Sequence, residues 1–522
     1  MFFKDTLSPS ECKGKRFIRR HDLPPEKRLH IAYMALYGRW GVITFLAREF
    51  RISRTFVYMM MNDLLEITEK VFGKCTTVWN ESVKKRAIVC ILCLRLEGRC
   101  SIISISQILK RFGISKHSSV GSVSEILQFA GECLPNTLVN AQGGTRLVII
   151  ASDEIFSHLC PILITVEPVS SAILRIELAD SREVAIWKEH WECIERSGYL
   201  AVYLVNDEGT SMSAAQKEVL ADVIRQSDTF HGLAHRLGAW VDRLEKAAYA
   251  GIEHEEDRAA RLRSAKSEAV IEKKTQEYEK AKERAERAIE SYDHFHYLYL
   301  CLISTLQVFD RDGNPNERQA AETTVYAALD LMGELNNGSI EKEVKTIRRL
   351  VPELFSYLDE AARIVEELKN SAEIPEEVLR TFCVAWQYQK NRIKAKHSER
   401  RNHYKSREQE ELQLLEDELG EGFHEMKEAV YLELDHIVQS SAMVENINSI
   451  LRMHLNTTKN HVTQGMLNLF MHYHNHRRYV AGKRKGKTPM EILTRNKQDK
   501  DWLELLIEQV PWEQFNLLKP AA

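Results

Sequence analysis

The sequence predicts an α/β protein in which a mixed sheet flanked by helices is interrupted by a large all-α insertion. Residues 146–210 alternate short β-branched runs with turn residues and one helical stretch, which is typical of a mixed sheet. Residues 236–435 are rich in Glu, Lys, Arg and Ala with helical periodicity, which predicts long helices. Two similar helix–turn patterns precede the sheet and predict tandem helix-turn-helix domains.

Composition narrows the possible functions. At 522 residues the chain is long enough for about three or four domains. Its net charge of −3 hides a basic amino-terminal part, because residues 1–140 carry 22 Lys and Arg against 12 Asp and Glu, a local charge of +10. Residues 459–500 carry ten basic against two acidic side chains, a charge of +8. Such regions are suited to binding phosphates, so the acidic total does not exclude a nucleic acid as partner.

Cysteine spacing and hydropathy exclude two further classes. The ten cysteines are scattered, and Cys90 and Cys93 have no second Cys or His pair at ligand spacing. Reduced thiols in a core are therefore expected, and not a zinc site. No apolar run reaches the roughly 18 residues that a membrane span needs, and the amino terminus has no apolar signal core. We expect a soluble intracellular protein with no membrane partner.

The first predicted domain, 1–75, contains a helix-turn-helix pattern. Helices are predicted over 26–37 and 41–50, and Ser53 is a natural amino-terminal cap for a third. The third helix would enter a major groove and contact DNA through its outward side chains. An ordinary three-helix core with a solvated basic face is the open alternative. The predicted DNA contacts are Arg51, Arg54, Thr55 and Tyr58.

A second helix-turn-helix domain is predicted over 76–140. The segment Phe112–Ser115 repeats the pattern of Phe50–Ser53, with Gly113 supplying the turn. Ser115 is expected to cap a helix that carries Lys116, a further predicted DNA contact. The alternative left open is that only one of the two domains reads bases, while the other packs or dimerises.

Two apolar strand patterns end at acidic pairs. The runs that begin at Arg146 and Tyr199 stop at Asp153–Glu154 and Asp207–Glu208. Neighbouring strands would bring Asp153 and Asp207 together, and hard oxygen ligands suit Mg²⁺. The adjacent glutamates should point to the other face of the sheet. Each Asp alone has a simpler interpretation, as a strand end or an Asx-turn residue.

Five more polar positions belong to the predicted site. The last strand pattern, 223–231, places Asp228 and His231 near the acidic edge, where they could support the metal ligands or merely form a turn and a helix start. Glu445 lies beside a buried helix face formed by Val444, Ile447 and Leu451. Asn448 and Arg452 fall on the same side of that helix, where they are predicted to contact DNA or to support the metal ligands.

The carboxy-terminal motifs resemble those of a known family. Val444–Asn448 matches V-E-x-x-N, Tyr473–Arg477 has Tyr, Asn and Arg in the order of a Y-N-x-x-R stretch, and Gly486–Leu493 matches G-x-T-P-x-E. In this order they resemble DDE transposases of bacterial insertion sequences, whose catalytic core is integrase-like (RNase H-like). The resemblance covers 146–235 and 436–495, which would form a split catalytic domain followed by a helical tail, 496–522.

One departure from the integrase pattern is large. The second and third acids are separated by 445 − 207 = 238 residues, because the predicted insertion 236–435 lies between them. A helical insertion at this place is similar to that of the hAT superfamily, whose insertion grips DNA near the cleavage site. We expect the charged segments 237–289 and 376–431 to pair as antiparallel helices. Trp386 could stack on a displaced base or simply anchor the core of the insertion.

The resemblance implies a function. Asp153, Asp207 and Glu445 would be the catalytic residues and would hold two Mg²⁺ (or Mn²⁺) ions for DNA cleavage and strand transfer. Partners would be double-stranded DNA, as transposon ends and target, and a second copy of the chain or more. Arg477 and Lys487 would contact DNA. The expected location is the prokaryotic cytoplasm, associated with the nucleoid. The alternative is a non-catalytic DNA-binding regulator with a degenerate core.

Overall fold

The computed structural model describes residues 23–72, 76–114, 117–206, 210–335, 337–371, 374–459 and 461–516. The chain divides into two compact units. The smaller contains Met1–Cys90 and Ser106–Ser119, and the larger contains Ile91–Ile105 and Val120–Ala522. The region 76–140, predicted to be one domain, is shared between these two units.

Three helices form the core of the smaller unit. They are α1 (Pro25–Tyr37), α2 (Val42–Glu49) and α3 (Arg54–Phe72). Ile31, Leu46 and Val57 are buried between them because each lies on the apolar face of its helix. Ser53 caps α3 as predicted, since its Oγ accepts a hydrogen bond of 3.1 Å from the backbone N–H of Phe56.

The helix expected after the second turn starts later than predicted. The preceding helices are α4 (Thr76–Leu96) and α5 (Ile102–Arg111), and Gly113 forms the turn with φ +75°. His117 also has a positive φ, of 61°, and α6 (Val120–Glu132) begins only after this second reversal. Ser115 and Lys116, the predicted cap and DNA contact, lie outside the described residues.

One mixed sheet of five strands is present in the described part of the chain. Its strand order is β3-β2-β1-β4-β5. The hairpin-connected β1, β2 and β3 are antiparallel, whereas β4 and β5 run parallel to β1. The strands and the two helices between them are β1 (Arg146–Ser157), β2 (Cys160–Glu167), β3 (Ala172–Leu178), α7 (Val184–Arg196), β4 (Tyr199–Asn206), α8 (Thr210–Val219) and β5 (Ile224–Ser227).

Strand β1 continues beyond the acidic pair at which the sequence predicted its end. Asp153 pairs with Ile164 of β2, and the ladder runs on to Ser157. The strand persists because its antiparallel partner continues to the hairpin and because Ile155 is buried. The pairing between β1 and β4, by contrast, ends at Ser152 and Asn206. Asp153 therefore lies just beyond the end of the parallel ladder.

Helices cover both faces of the sheet. On one face Ile149, Ala151 and Ile155 pack against α17 (Ala442–Thr457) and α18 (Gln464–His476). On the other face Val148 and Ile150 pack against Trp187 and Trp191 of α7. This alternation follows from the two-residue period of a strand, and it places odd-numbered residues of this part of β1 under α17. Two short helices follow, α19 (Pro489–Thr494) and α20 (Trp502–Gln509).

Helix α18 protects the edge strand β3 with amide side chains. Asn475 Oδ1 accepts from the backbone N–H of Ile173 at 2.8 Å, and its Nδ2 donates to the carbonyl of the same residue at 2.9 Å. Gln464 makes the same type of pair with the N–H of Leu178 and the carbonyl of Ile176. The edge groups that would otherwise be open to another strand are thus occupied. Asn475, which belongs to the motif that resembles Y-N-x-x-R, therefore stabilises the fold by binding the backbone of β3.

Buried histidines on α18 should make folding sensitive to acid. Burial lowers the pKa of His472 and of His474 to about 4, so both are neutral in the folded chain. Between about pH 6.5 and 4 the unfolded chain binds more protons, so the free energy of unfolding falls as the pH falls, by up to about 3 kcal/mol per histidine. We expect His474→Asn to flatten this slope in urea titrations at pH 7 and pH 5. His424→Asn, at an exposed position, should leave the slope unchanged. Equal slopes in the His474 and His424 variants would contradict the assignment of acid sensitivity to His474.

Helices occupy nearly all of the described residues between 236 and 435, the helical block. Leu237, Phe295, Val351 and Phe382 are among the residues of its core. Its elements are α9 (Arg236–Arg263), α10 (Glu268–Thr305), α11 (Arg318–Gly333), α12 (Gly338–Leu354), α13 (Ser356–Ser371), α14 (Glu376–Lys394), α15 (Ser398–Leu419) and α16 (Phe423–Leu434).

The two charged segments of the helical block do not pair with each other, so that expectation is wrong. Each folds back on itself, α9 against α10 and α14 against α15. The first hairpin turns between Ser264 and Ser267, and the second at Ala395–His397. A short loop favours packing of sequence neighbours, since closing it costs less entropy than joining distant segments. Among the described residues, no helix is long and apolar enough to cross a membrane.

Candidate functional site

The site is built on Asp153, which β1 presents to helix α17. Asp153 has the same strand parity as Ala151 and Ile155, whose side chains pack under α17. Its Oδ2 accepts a hydrogen bond of 2.5 Å from Asn448 Nδ2, and its Oδ1 accepts one of 2.7 Å from the backbone N–H of Glu154. Asn448 is only 2% exposed. The carboxylate is therefore oriented by a buried amide.

Glu445 lies one helical turn before Asn448 on the same helix. Its side chain is 44% exposed, and its Oε1 contacts Nε2 of His231. His231 belongs to a π-helical turn, Phe230–His235, that follows β5. The predicted buried face of α17 is confirmed, since Val444, Ile447 and Leu451 are each at most 1% exposed. The helix thus holds its apolar side against the sheet while Glu445 remains accessible.

Asp228 joins the two elements that carry His231 and Glu445. Its Oδ1 accepts from the backbone N–H groups of Phe230 and His231 at 2.7 and 3.0 Å. Its Oδ2 accepts from the N–H and the hydroxyl of Ser441 at 2.7 and 2.6 Å, immediately before α17 begins. Asp228 is 2% exposed. This buried carboxylate fixes the start of the π-helical turn relative to the start of α17, and so fixes the contact between their side chains.

A chain of buried polar groups supports β1 from the opposite face. Ser152, next to Asp153, is hydrogen-bonded to Thr165 at 2.8 Å and accepts from Trp191 Nε1 at 3.2 Å. Thr165 contacts His190 Nε2 at 3.0 Å, and Nδ1 of this histidine contacts Glu177 at 3.0 Å. Burial lowers the pKa of His190, opposed by its contact with Glu177. A satisfied buried network of this kind gives the strand one defined position.

Sequence reasoning missed two links in this arrangement. Ser441 could have been found as the polar residue before the apolar period of α17, a usual capping signal. Its partner Asp228, however, is 213 residues away, and the bond between them has no local pattern. The buried chain from Ser152 to Glu177 is likewise formed by residues on separate elements. Only the packing of those elements brings them together.

The structure separates the two acids of the first pair as expected. Glu154 points away from α17 and forms a salt bridge of 2.9 Å with Arg182. Asp207, the predicted second metal ligand, and its neighbour Glu208 lie outside the described residues, directly after the end of β4 at Asn206. Among the described residues, no three His, Cys, Asp or Glu side chains form a group that could hold a metal ion.

Two predicted DNA contacts are wrong. Trp386 is 1% exposed in the core of the helical block, where its Nε1 donates to Asp435 at 3.2 Å and its ring packs edge-on against Phe309. It is the core anchor considered as the alternative, since a buried indole has no face open to a base. Asn448 is buried against Asp153, so it does not reach DNA and instead has the supporting role that the sequence offered as the alternative.

Three other predicted DNA contacts lie near the surface of the larger unit. Arg452 is exposed on α17. Arg477 is half-buried with its guanidinium over the ring of Tyr473, 5.4 Å from the centroid. Lys487 is exposed and forms a salt bridge of 2.5 Å with Glu428. These positions are compatible with phosphate contact, and their role stays a prediction.

The G-x-T-P-x-E motif forms a helix start. Thr488 Oγ1 accepts from the N–H of Glu491, and the Glu491 carboxylate accepts from the N–H of Thr488, which is a capping box for α19. Pro489 follows at the first helical position, where its missing N–H costs nothing. Arg478 donates to Glu491 at 2.8 Å. The contacts of the motif therefore position the chain after α18, and Glu491 is used in the capping box and the ion pair with Arg478.

In the smaller unit the predicted recognition helix presents the expected side chains. Arg54, Thr55 and Tyr58 of α3 are exposed, and Arg51 is exposed just before it. A helix packed by its other face with these residues outward could enter a major groove. The exposure is compatible with DNA contact, and the role of these residues stays a prediction.

Replacing Arg54 and Tyr58 together by Ala should remove most sequence discrimination. A side chain that contacts a base edge contributes about 1–3 kcal/mol to discrimination between sequences. We therefore expect the ratio of specific to random-duplex affinity to fall by roughly 5- to 150-fold. The measurement is competition between duplex from the flanks of the coding sequence and random duplex at fixed salt. Arg86→Ala, at an exposed position of α4, is the control. Unchanged discrimination in the double variant would move recognition away from α3.

The donors present suit a hard divalent cation. Asp153 and Glu445 offer carboxylate oxygens, which Mg²⁺ and Mn²⁺ prefer. Asp153 is half-buried and Glu445 is accessible, so an ion at this edge would meet both protein and solvent. The amide of Asn448 behind Asp153 is the type of supporting hydrogen bond that metal ligands have. The residues at this edge of the sheet therefore fit a divalent cation such as Mg²⁺ or Mn²⁺.

Comparison with protein-family models and with curated protein sequences gave no match for this chain. Its function must therefore be inferred from the geometry of the site and from the motifs of the sequence.

Proposed function

We propose that this protein is a DDE-type DNA transposase, which cleaves the ends of a transposon and joins the freed 3′-hydroxyl to target DNA. One observation carries the proposal. Asp153 on β1 and Glu445 on α17 are 445 − 153 = 292 residues apart in the chain, yet Asn448 binds the first from the helical turn next to the second. An acidic site that unites a strand of the sheet with a late helix is what the motif resemblance implied.

The strand order gives further support. An RNase H-like core has an antiparallel three-stranded part followed by two parallel strands, and β3-β2-β1-β4-β5 has this order and these directions. In this interpretation the helical block, 236–435, is an insertion into that core, since β5 precedes it and α17 follows it. Asp207 would supply the remaining carboxylate. It comes next to Asn206, whose partner across the ladder is Ser152, the residue before Asp153.

Asp153, Asp207 and Glu445 would hold two Mg²⁺ ions, which when bound stabilise charge on the attacking and leaving oxygens of a phosphodiester. Other residues of the chain orient Asp153 and Glu445. Asn448 fixes Asp153 through Oδ2, and His231 contacts Glu445. Asp228 holds the π-helical turn that carries His231 in a fixed position relative to the start of α17. Because Asp153 and Glu445 would be held in place before DNA arrives, their carboxylates would need little reorganisation during reaction.

Cleavage of supercoiled DNA tests the proposal. The substrate is a plasmid carrying the genomic DNA on either side of the coding sequence, and the expected result is nicking at the element ends that requires Mg²⁺ or Mn²⁺. Joining of a labelled end to a second plasmid reports strand transfer. A protein that binds this DNA without nicking it in either metal would instead be the regulator with a degenerate core.

A further inference from the structure

The smaller unit contains a groove that the proposed cleavage site does not use. It lies along the turn between α1 and α2, the length of α2 and the start of α3, with a volume of about 1090 Å³. Its lining includes the aromatic residues Trp40, Phe45 and Tyr58. The exposed fractions of these side chains are 104%, 60% and 47%. Aromatic faces are therefore open to solvent on one connected surface.

Basic side chains alternate with these aromatic residues. Arg39, Arg48 and Arg51 line the groove against one acid, Glu49. The local charge is thus about +2, and guanidinium groups pair well with phosphate oxygens. A surface that combines stacking faces with positive charge has the chemistry that binds a nucleic acid strand whose bases are unpaired. Bases inside a duplex are stacked on each other and cannot cover these rings.

We infer that the groove binds unpaired nucleotides of a DNA strand, with bases stacked on Trp40 and Phe45 and phosphates bound by Arg39 and Arg48. Tyr58 belongs both to the groove and to the outward side of α3. A duplex held by α3 would therefore present an adjoining unpaired stretch to the groove. The inference rests on the proposed function for the choice of DNA as the ligand. Charge favours this ligand over a protein partner, because phosphates neutralise the arginines.

Fluorescence anisotropy with the full-length protein tests this inference. The probe is fluorescein-labelled dT16 in buffer with EDTA, so that neither metal nor cleavage affects the result. Trp40→Ala with Phe45→Ala should weaken binding of dT16 by at least about tenfold, since stacking on aromatic side chains strengthens binding at each base. Trp40→Phe, which keeps an aromatic face, should restore most of the affinity in the presence of native Phe45.

The charged part of the groove has its own readout. Arg39→Ala with Arg48→Ala should reduce the dependence of log K on log salt for dT16 by about 1.4, which is two phosphate contacts at about 0.7 each. Tyr297→Ala, at an aromatic residue of the helical block that is 68% exposed, is the matched control and should bind as the native chain does.

Each outcome decides the inference. Native affinity for dT16 in the Trp40 and Phe45 variant, with an unchanged thermal melt, would overturn it. A variant that keeps its affinity but loses self-association in sedimentation would show the groove to be a contact between copies, which also overturns it. The dT16 assay contains no metal and no cleavage step, so a failure of the proposed catalytic role leaves this experiment interpretable.

Discussion

Asp153→Asn, Asp207→Asn and Glu445→Gln should each abolish metal-dependent nicking while DNA binding persists or becomes tighter. Each change replaces a carboxylate that the ions require by a neutral amide, and removing a negative charge also lessens repulsion of the phosphates. The expected loss is about a hundred- to a thousandfold or more in the cleavage rate, since removing one group that stabilises the transition state costs about a hundred- to a thousandfold. Nicking of the flank plasmid and gel-shift binding are measured on the same preparations.

Glu154→Gln is the matched control for this set. It removes an acid next to Asp153 whose side chain is turned to the other face, where it pairs with Arg182. Nicking should therefore remain close to the native rate. Native nicking in any of the three acid variants would take that residue out of the site, and loss of nicking in the control would show that net charge at this edge matters more than its ligands.

Asp228→Ala should have the largest effect on stability. The buried carboxylate accepts four hydrogen bonds, and its loss leaves the N–H and hydroxyl of Ser441 and the N–H groups of Phe230 and His231 without their partner. Removing one partner from a buried charged network costs about 3–5 kcal/mol. We expect a clearly lower unfolding temperature together with loss of nicking, because the contact between His231 and Glu445 depends on this link.

Asp222→Ala provides the comparison for Asp228. Asp222 is an exposed acid just before β5, and its removal should change the unfolding temperature little. Asp228→Asn should be intermediate, since one amide oxygen still accepts while the amide nitrogen faces donors. An Asp228→Ala variant with the same unfolding temperature as the native chain, measured by circular dichroism, would contradict this role of Asp228.

The helical block is tied to the sheet more closely than an appended module would be. Gln226 of β5 donates to the carbonyl of Leu354 at 2.7 Å and accepts from the N–H of Tyr357 at 3.0 Å. Ser356 donates to the carbonyl of Arg225 at 2.7 Å. Helices α12 and α13 thus cover the strand at this edge of the sheet, which would otherwise present open backbone groups.

Local patterns were sufficient for much of the fold. Periodicity located β2, β3 and β4 to within a residue or two, because strands buried on both faces leave continuous apolar runs. The capping residue Ser53 and the turn glycine Gly113 were recognised from their side-chain chemistry alone. Glu154 was assigned to the face opposite Asp153 from strand alternation, which needs no knowledge of the rest of the chain.

What the sequence by itself determined is therefore the position of most strands and of the first helices, and the buried face of α17, since these follow from interactions among residues close in the chain. Only the tertiary structure decided what the polar side chains of those elements contact. It placed Trp386 and Asn448 in buried sites, folded each charged segment on itself, and joined Asp228 to Ser441 across 213 residues. The reason is physical: a long-range hydrogen bond depends on how whole helices and strands pack, and no short stretch of sequence encodes that geometry.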